Sequence, residues 1–204
     1  MRTGLFYACS FSIIDRESRM RVIGGKYGGR RLRSAPGLAV RPTSDRLRET
    51  LFNILAPVIE GSRFLDICAG SGAVGIEALS RGAAEVTFIE RSRRTCATIK
   101  QNLAALDAGS NVRVINREAV AALRRLASEP LEFEIAFFDP PYASGVYSEV
   151  MDLLGASGLI VRDGIVVVEH RAKTPPRTDY GALSCHRVVK QGESALAFYS
   201  KRDA

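Results

Sequence analysis

From Gly61 onward the chain alternates short apolar runs with amphipathic segments, and this alternation leaves few folds open. Five runs have the length and composition of strands: Arg63–Ile67, Glu85–Glu90, Asn111–Ile115, Phe133–Phe138 and Gly164–Glu169. Helical segments fall between them, the clearest being Arg93–Leu106, which keeps Cys96, Ile99, Leu103 and Leu106 on one face. Strands separated by helices predict a parallel α/β sheet covered on both faces. The ending differs. Leu183–Val189 and Ser194–Ser200 flank a short turn holding Gly192, so the sheet is expected to close with an antiparallel hairpin, giving seven strands. Thr174–Asp179, with two prolines, reads as a loop. Upstream, Thr43 or Ser44 can cap a helix that carries Leu47, Leu51, Ile54, Leu55 and Val58 at helical spacing.

The charge is uneven. The 204 residues hold 29 basic and 22 acidic side chains, a net +7. Between Ser18 and Ser44 lie seven basic residues (Arg19, Arg21, Lys26, Arg30, Arg31, Arg33, Arg41) and no acidic one, which leaves 22 against 22 elsewhere. A neutral body with a basic, Gly-rich arm points to a polyanionic partner, nucleic acid ahead of a membrane surface, because the arm is not an amphipathic helix. Arg21, Lys26, Arg30, Arg31, Arg33 and Arg41 are the candidate nucleic-acid contacts. The longest apolar runs, such as Ile165–Val168, fall far short of the ~20 residues that span a bilayer. Four scattered cysteines without a C-x-x-C pair, and two histidines, argue against a zinc site or a disulfide scaffold and suit a reducing cytosol. Residues 1–19 faintly imitate a signal peptide, but Cys9, Ser10 and Ser12 break the apolar stretch, so export is not expected. Three parts follow: a disordered extension over 1–19, a hairpin-like basic arm over 20–43 and an α/β domain over 44–204.

In doubly wound sheets ligands bind outside the carboxyl ends of the strands. After the first strand comes a glycine-rich turn in which Gly70, Gly72 and Gly75 follow G-x-G-x-x-G. That pattern lets a ligand approach the backbone at a helix start, but by itself it suits a dinucleotide equally well. Glu90, ending the second strand, is placed for a ribose diol in either case. Asp66 separates the two. A carboxylate at the strand tip repels a pyrophosphate and attracts a ligand bearing ammonium and sulfonium charges, unless it only caps the next turn. After the fourth strand stand Asp139, Pro140, Pro141 and Tyr142. Two prolines remove two N–H donors and leave acceptors, which suits a substrate presenting an exocyclic amine. Tyr142 offers a flat surface for a base, a stacking contact worth roughly 1–3 kcal/mol in single-strand binders.

The Asp139–Tyr142 motif resembles that of amino-group methyltransferases using S-adenosylmethionine. Together with Arg21–Tyr27, Arg41–Arg46, Asp66–Gly75 and Ile76–Gly82, it is similar to the bacterial RsmD family, small-subunit ribosomal RNA guanine-N2 methyltransferases. The resemblance runs from about Met20 to Tyr199 and favours a start at Met20. It implies a Rossmann-like class I methyltransferase fold. It also implies that Asp66, Gly70 and Gly72 line the methionine end of S-adenosylmethionine, that Glu90 holds the ribose, and that Glu118 with Ala119 meets the adenine. Related enzymes more often carry Asp-Ala at that last site, and Glu118 is equally well read as a helix-start acid. Arg41–Arg46 would close over the methionine side, with Thr43 in contact, while Arg46 and Arg48 equally suit a solvent-facing helix surface.

The implied reaction is direct methyl transfer to guanine N2, with Asp139 and the Pro140 carbonyl accepting from the amine, Pro141 fixing the turn and Tyr142 receiving a base taken out of its stack. S-adenosylhomocysteine is the product and no metal is required. The expected partner is ribosomal RNA, free or in an assembled small subunit, with a monomeric, cytoplasmic enzyme and no membrane. Two alternatives stay open on the residues alone: an amino-methyltransferase for DNA adenine or cytosine or protein glutamine, and a non-catalytic RNA-binding or NAD-binding module.

Overall fold

The computed structural model describes residues 20–34, 44–140 and 146–202. Thr43, Arg41, Pro141 and Tyr142, and the extension over 1–19, lie outside these described residues. Five strands, β1 (Arg63–Ile67), β2 (Glu85–Glu90), β3 (Val112–Asn116), β4 (Phe133–Phe138) and β5 (Ile160–Arg171), pair in parallel in the order β3-β2-β1-β4-β5. Helix α1 (Asp45–Leu55) precedes them, and α2 (Ala73–Ser80), α3 (Arg93–Ala105), α4 (Ala119–Leu126) and α5 (Val146–Ala156) make the crossovers. The sheet then turns antiparallel through β6 (Asp179–Tyr180), β7 (Leu183–Gln191) and β8 (Ser194–Lys201), with β8 seated against β5. This is the mostly parallel, hairpin-terminated Rossmann-like sheet expected from the sequence.

Its details differ in four places. The sheet has eight strands, because Asp179 and Tyr180 pair with Ser184 and Leu183 where the prolines suggested only a loop. Strand β5 begins at Ile160, since its register against β4 shifts between Phe133 and Ile135 and the inserted residues include exposed Arg162 and Asp163. Helix α1 ends at Leu55, which leaves Val58 44% exposed outside the apolar stripe. Arg48, which suited a solvent-facing position, is 1% exposed. Ser44 is the N-cap of α1, its hydroxyl accepting from the Leu47 amide.

Each central strand feeds two layers, as period-2 side chains in a doubly covered sheet must. Phe64, Phe88, Ile135, Phe137 and Val167 pack under α1, α2 and α3, while Leu65, Ile67, Ile89, Phe138 and Val168 pack under α4 and α5. The first layer also takes in the N-terminal segment. Arg21 and Arg31 form an antiparallel bridge, and Met20, Val22, Tyr27 and Leu32 are buried in the same core. Glu77 of α2, fully buried, accepts from the amides of Ile23 (2.7 Å) and Gly24 (2.9 Å). Arg48 donates to the Arg21 carbonyl (2.6 Å) and to Asp45 (3.0 Å), with its Nε 3.8 Å from Glu77. So residues 20–34, the described part of the basic segment, form a hairpin docked on the domain.

Candidate active site

Strand order reverses between β1 and β4, the point where an open α/β sheet forms its ligand crevice. Chain leaving β1 passes through Cys68, a non-glycine at φ 64°, before the glycine turn. The turn is fixed from three sides: Ala69 donates to the Ile89 carbonyl (3.0 Å), Gly70 to the Glu90 carboxylate (3.0 Å) and Gly75 to the Asp66 carboxylate (2.9 Å). The glycines differ in purpose. A Cβ on Gly75 would sit 2.3 Å from the Phe88 ring, so this glycine lets α2 close onto β2, whereas above Gly70 (φ 54°) there is open space for a ligand.

Asp66 is 2% exposed. Burial, only partly offset by the Gly75 amide and reinforced by nearby Glu90, pushes its carboxyl up to about 7. Glu90 accepts from the Gly70 and Ser92 amides, one on each carboxylate oxygen, which leaves lone pairs on both for further donors. On the other side Asp139, half-buried, donates its amide to the Ile67 carbonyl (3.3 Å), which ties the tip of β4 to the tip of β1. Its carboxyl is held well above the usual carboxylate range by burial and by Glu169 and Asp66. Pro140 is buried beside it. Cys68 sits among these acids: burial, then Glu90, Asp139, Asp66 and Glu118, pushes its thiol up to about 12. A site this dense in carboxylates, with an open glycine turn, fits a ligand carrying positive charge and opposes a pyrophosphate.

The structure therefore brings together Asp66, Gly70, Gly72, Glu90, Asp139 and Pro140. Glu118 stands at the rim as the exposed N-cap of α4, accepting from the Ala121 amide (3.1 Å), and Ala119 behind it is buried. Arg21, Lys26, Arg30, Arg31 and Arg33 are not in the crevice. All are exposed on the docked hairpin, with Arg21 3.7 Å from Asp45, Lys26 over the Tyr27 ring and Arg30 donating to the Ala105 carbonyl. Glu169 was missed, although it lies near the end of β5 and is 4% exposed; the rule of inspecting every strand tip would have found it. Tyr147, whose hydroxyl donates to the Glu169 carbonyl (2.6 Å) and whose ring meets Phe138, carries no sequence signal of its own.

A protein family described as Conserved hypothetical protein 95 matches residues 20–200. The chain belongs to this family. It is the RsmD-type family that the motifs resemble, and relatives agree along nearly the whole length. Escherichia coli K12 ribosomal RNA small subunit methyltransferase D is 40% identical over 183 residues, 90% of each chain. Bacillus subtilis YlbH is 36% identical over 90% of this chain and all of its own. Among solved structures, Escherichia coli yhhF superposes with a TM-score of 0.78 at 39% identity, covering 91% of this chain and 99% of that one. The more distant SMU.776, solved with S-adenosylhomocysteine bound, shares the fold at a TM-score of 0.62 and 13% identity, over 74% of this chain and 48% of that one.

Proposed function

We propose that this chain methylates small-subunit ribosomal RNA, using S-adenosylmethionine as the methyl donor and the exocyclic N2 amine of a guanine as the acceptor. The observation that carries the reading is the Asp139–Pro140 turn joined to the tip of β1 beside a carboxylate-rich glycine loop. The donor brings an electrophilic methyl on a sulfonium. Asp66, with Gly70 and Gly72, would hold its charged methionine end and Glu90 its ribose hydroxyls. Glu118 and Ala119 would border the adenine, and Thr43 would approach from the segment before α1.

The chain's own task is orientation. Asp139 and the Pro140 carbonyl accept from the target amine, so that its lone pair, normally conjugated with the ring, is turned toward the methyl. Well-aligned reactants gain about 7–11 kcal/mol from such positioning. Asp139 needs no strong basicity, because the amine gives up its surplus proton only after transfer. Pro141 would fix the turn and Tyr142 would stack the extruded base. The relatives' name as small-subunit ribosomal RNA methyltransferases supports the RNA substrate; acceptor geometry at Asp139 supports an amine. The exposed Arg21, Lys26, Arg30, Arg31 and Arg33, with Arg41, would bind RNA backbone. A monomer acting in the cytoplasm belongs to the same reading.

The test is nucleoside analysis after incubating the purified protein and S-adenosylmethionine with small-subunit ribosomal RNA, with assembled small subunits and with DNA. N2-methylguanosine in an RNA-containing arm is expected. Methyladenine or methylcytosine in DNA, with none in RNA, would overturn the assignment.

A further inference from the structure

Charge summed over the chain hides a second basic surface. Outside Ser18–Ser44 the total is neutral, yet residues 91–106 contain Arg91, Arg93, Arg94 and Lys100 and no acid at all. All four are exposed, as is Arg117. The β2 and β3 tips bring Arg91 and Arg117 into one rim: Glu90 pairs with Asn116, Asn116 Nδ2 donates to the Arg91 carbonyl (2.9 Å), and the Arg117 amide donates to the Glu90 carbonyl (3.2 Å). Arg93, Ala97, Lys100, Gln101 and Ala104 are exposed at i, i+3 and i+4 spacing, with the alanines keeping that face shallow between its cations.

This face is continuous with the docked hairpin. Arg30 reaches the Ala105 carbonyl (2.6 Å), Arg33 Nη1 reaches Gln101 (3.3 Å), and the Arg33 amide donates to Asn102 (2.8 Å). The opposite layer contrasts with it. There Arg113, Arg124 and Arg125 are paired with Glu129, Glu149 and Glu129 respectively. Among the described residues, Arg91, Arg93, Arg94, Lys100 and Arg117 have no such carboxylate partner. Unneutralised cations on a rigid helix are what a phosphate backbone recognises, and α3 presents Arg93, Arg94 and Lys100 over about 10 Å at 1.5 Å per residue.

We propose that the exposed face of α3, with Arg91 and Arg117 at its β-tip end, is a phosphate-binding track that carries RNA backbone from the N-terminal hairpin to the rim of the candidate active site. The track rests on the RNA reading above and adds to it a path and a set of contacts. Each neutralised phosphate contributes a slope of about −0.7 to log affinity against log salt on single strands.

The experiment compares the full chain with the triple variant Arg93→Ala/Arg94→Ala/Lys100→Ala, using a labelled small-subunit ribosomal RNA transcript across a salt series. S-adenosylhomocysteine affinity and melting temperature are measured alongside, and Arg124→Ala/Arg125→Ala serves as a charge control on the other layer. The triple variant should bind RNA at least about tenfold more weakly near 0.1 M salt, with a slope shallower by about 2. Cofactor-product affinity and melting temperature should hold, and the control should keep the parental slope. An unchanged slope in the triple variant, or an equal loss in the control, overturns the track while leaving RNA binding intact. If the unaltered chain shows no salt-dependent RNA binding, the RNA reading falls and the track with it.

Discussion

The carboxyl end of the sheet and the face built by α3 and the N-terminal hairpin each concentrate one sign of charge, but they keep it in different surroundings. At the strand tips Asp66 and Glu169 are buried and Asp139 is half-buried; burial and Glu90 push the Asp66 carboxyl upward, and burial with Glu169 and Asp66 does the same for Asp139. On the helical face the arginines and Lys100 are exposed, and solvent and salt screen them. The first arrangement responds to pH and to a cation placed among the acids; the second responds to ionic strength and to a polyanion. On the proposed reading, a small cationic cofactor and a long anionic substrate would be received by separate parts of one domain. Between them lies Glu77, a buried carboxylate of α2 that holds the hairpin's amides and also meets Arg81 (2.8 Å).

The sharpest break in this comparison is at Asp139. Asp139→Ala should reduce single-turnover methyl transfer by about 10²–10³-fold, the range lost when one positioned hydrogen-bonding group is removed from a reacting centre. Cofactor affinity by calorimetry should stay near the parental value. Asp139→Asn, which keeps an acceptor oxygen, should retain measurable activity. If Asn is as inactive as Ala while cofactor and RNA still bind, the carboxylate's charge or basicity is essential and the acceptor account is wrong.

Glu77 tests the join between the regions. Glu77→Ala leaves Arg81 and the Ile23 and Gly24 amides without their buried acceptor, and buried Arg48 without a nearby counter-charge, a loss of roughly 3–5 kcal/mol for a broken buried pair. For a chain of this size that corresponds to a fall in melting temperature on the order of 10 °C. A shift below about 2 °C by calorimetry would show that the hairpin is not held through this carboxylate.

Much of this organisation was legible beforehand, for identifiable reasons. Strands β1, β2 and β4 were bounded correctly because continuous apolar runs end abruptly at turn residues. Asp66, Glu90 and Asp139 stand out as candidates because ligand sites in such sheets collect at strand tips, and the structure brings the three together there. Arg48 was misread because helical spacing alone does not reveal that a docked hairpin covers that side of α1. Asp66 proved subtler than its charge suggested: its bond to Gly75 makes it a turn cap as well as a candidate ligand group, so the two readings are not exclusive. The α3 track was hidden by a net charge summed over the whole body.

The pH response separates the acidic region from the basic one. Asp66 holds its proton to about 7 in the folded chain, against an ordinary 3.8. The folded state therefore binds more protons between those values, and this group's contribution to stability falls as pH rises from about 4 to about 7. The ammonium of the ligand's methionine end needs the ionised form, so S-adenosylhomocysteine should bind about tenfold more weakly at pH 6 than at pH 8, one pH unit below the midpoint being worth a factor of ten. Asp66→Asn should flatten that dependence. A pH-independent affinity in the parent would remove Asp66 from the ligand's surroundings.

The smallest effect concerns residues 1–19. A chain beginning at Met20 should melt within about 2 °C of the full one, the low end of the shift a 1 kcal/mol change gives at this size, and should methylate at the same rate. Loss of activity would show that the extension belongs to one of the two charged regions.

The central claim is that the carboxylates at the strand tips select a ligand with an ammonium-bearing amino-acid end over an anionic dinucleotide. Calorimetric titration of the full chain at pH 8 with S-adenosylhomocysteine, and separately with NADH, tests it most directly. Saturable binding of S-adenosylhomocysteine with no heat of binding from NADH is the expected result. NADH bound as tightly as S-adenosylhomocysteine, at the same site by competition, would contradict it.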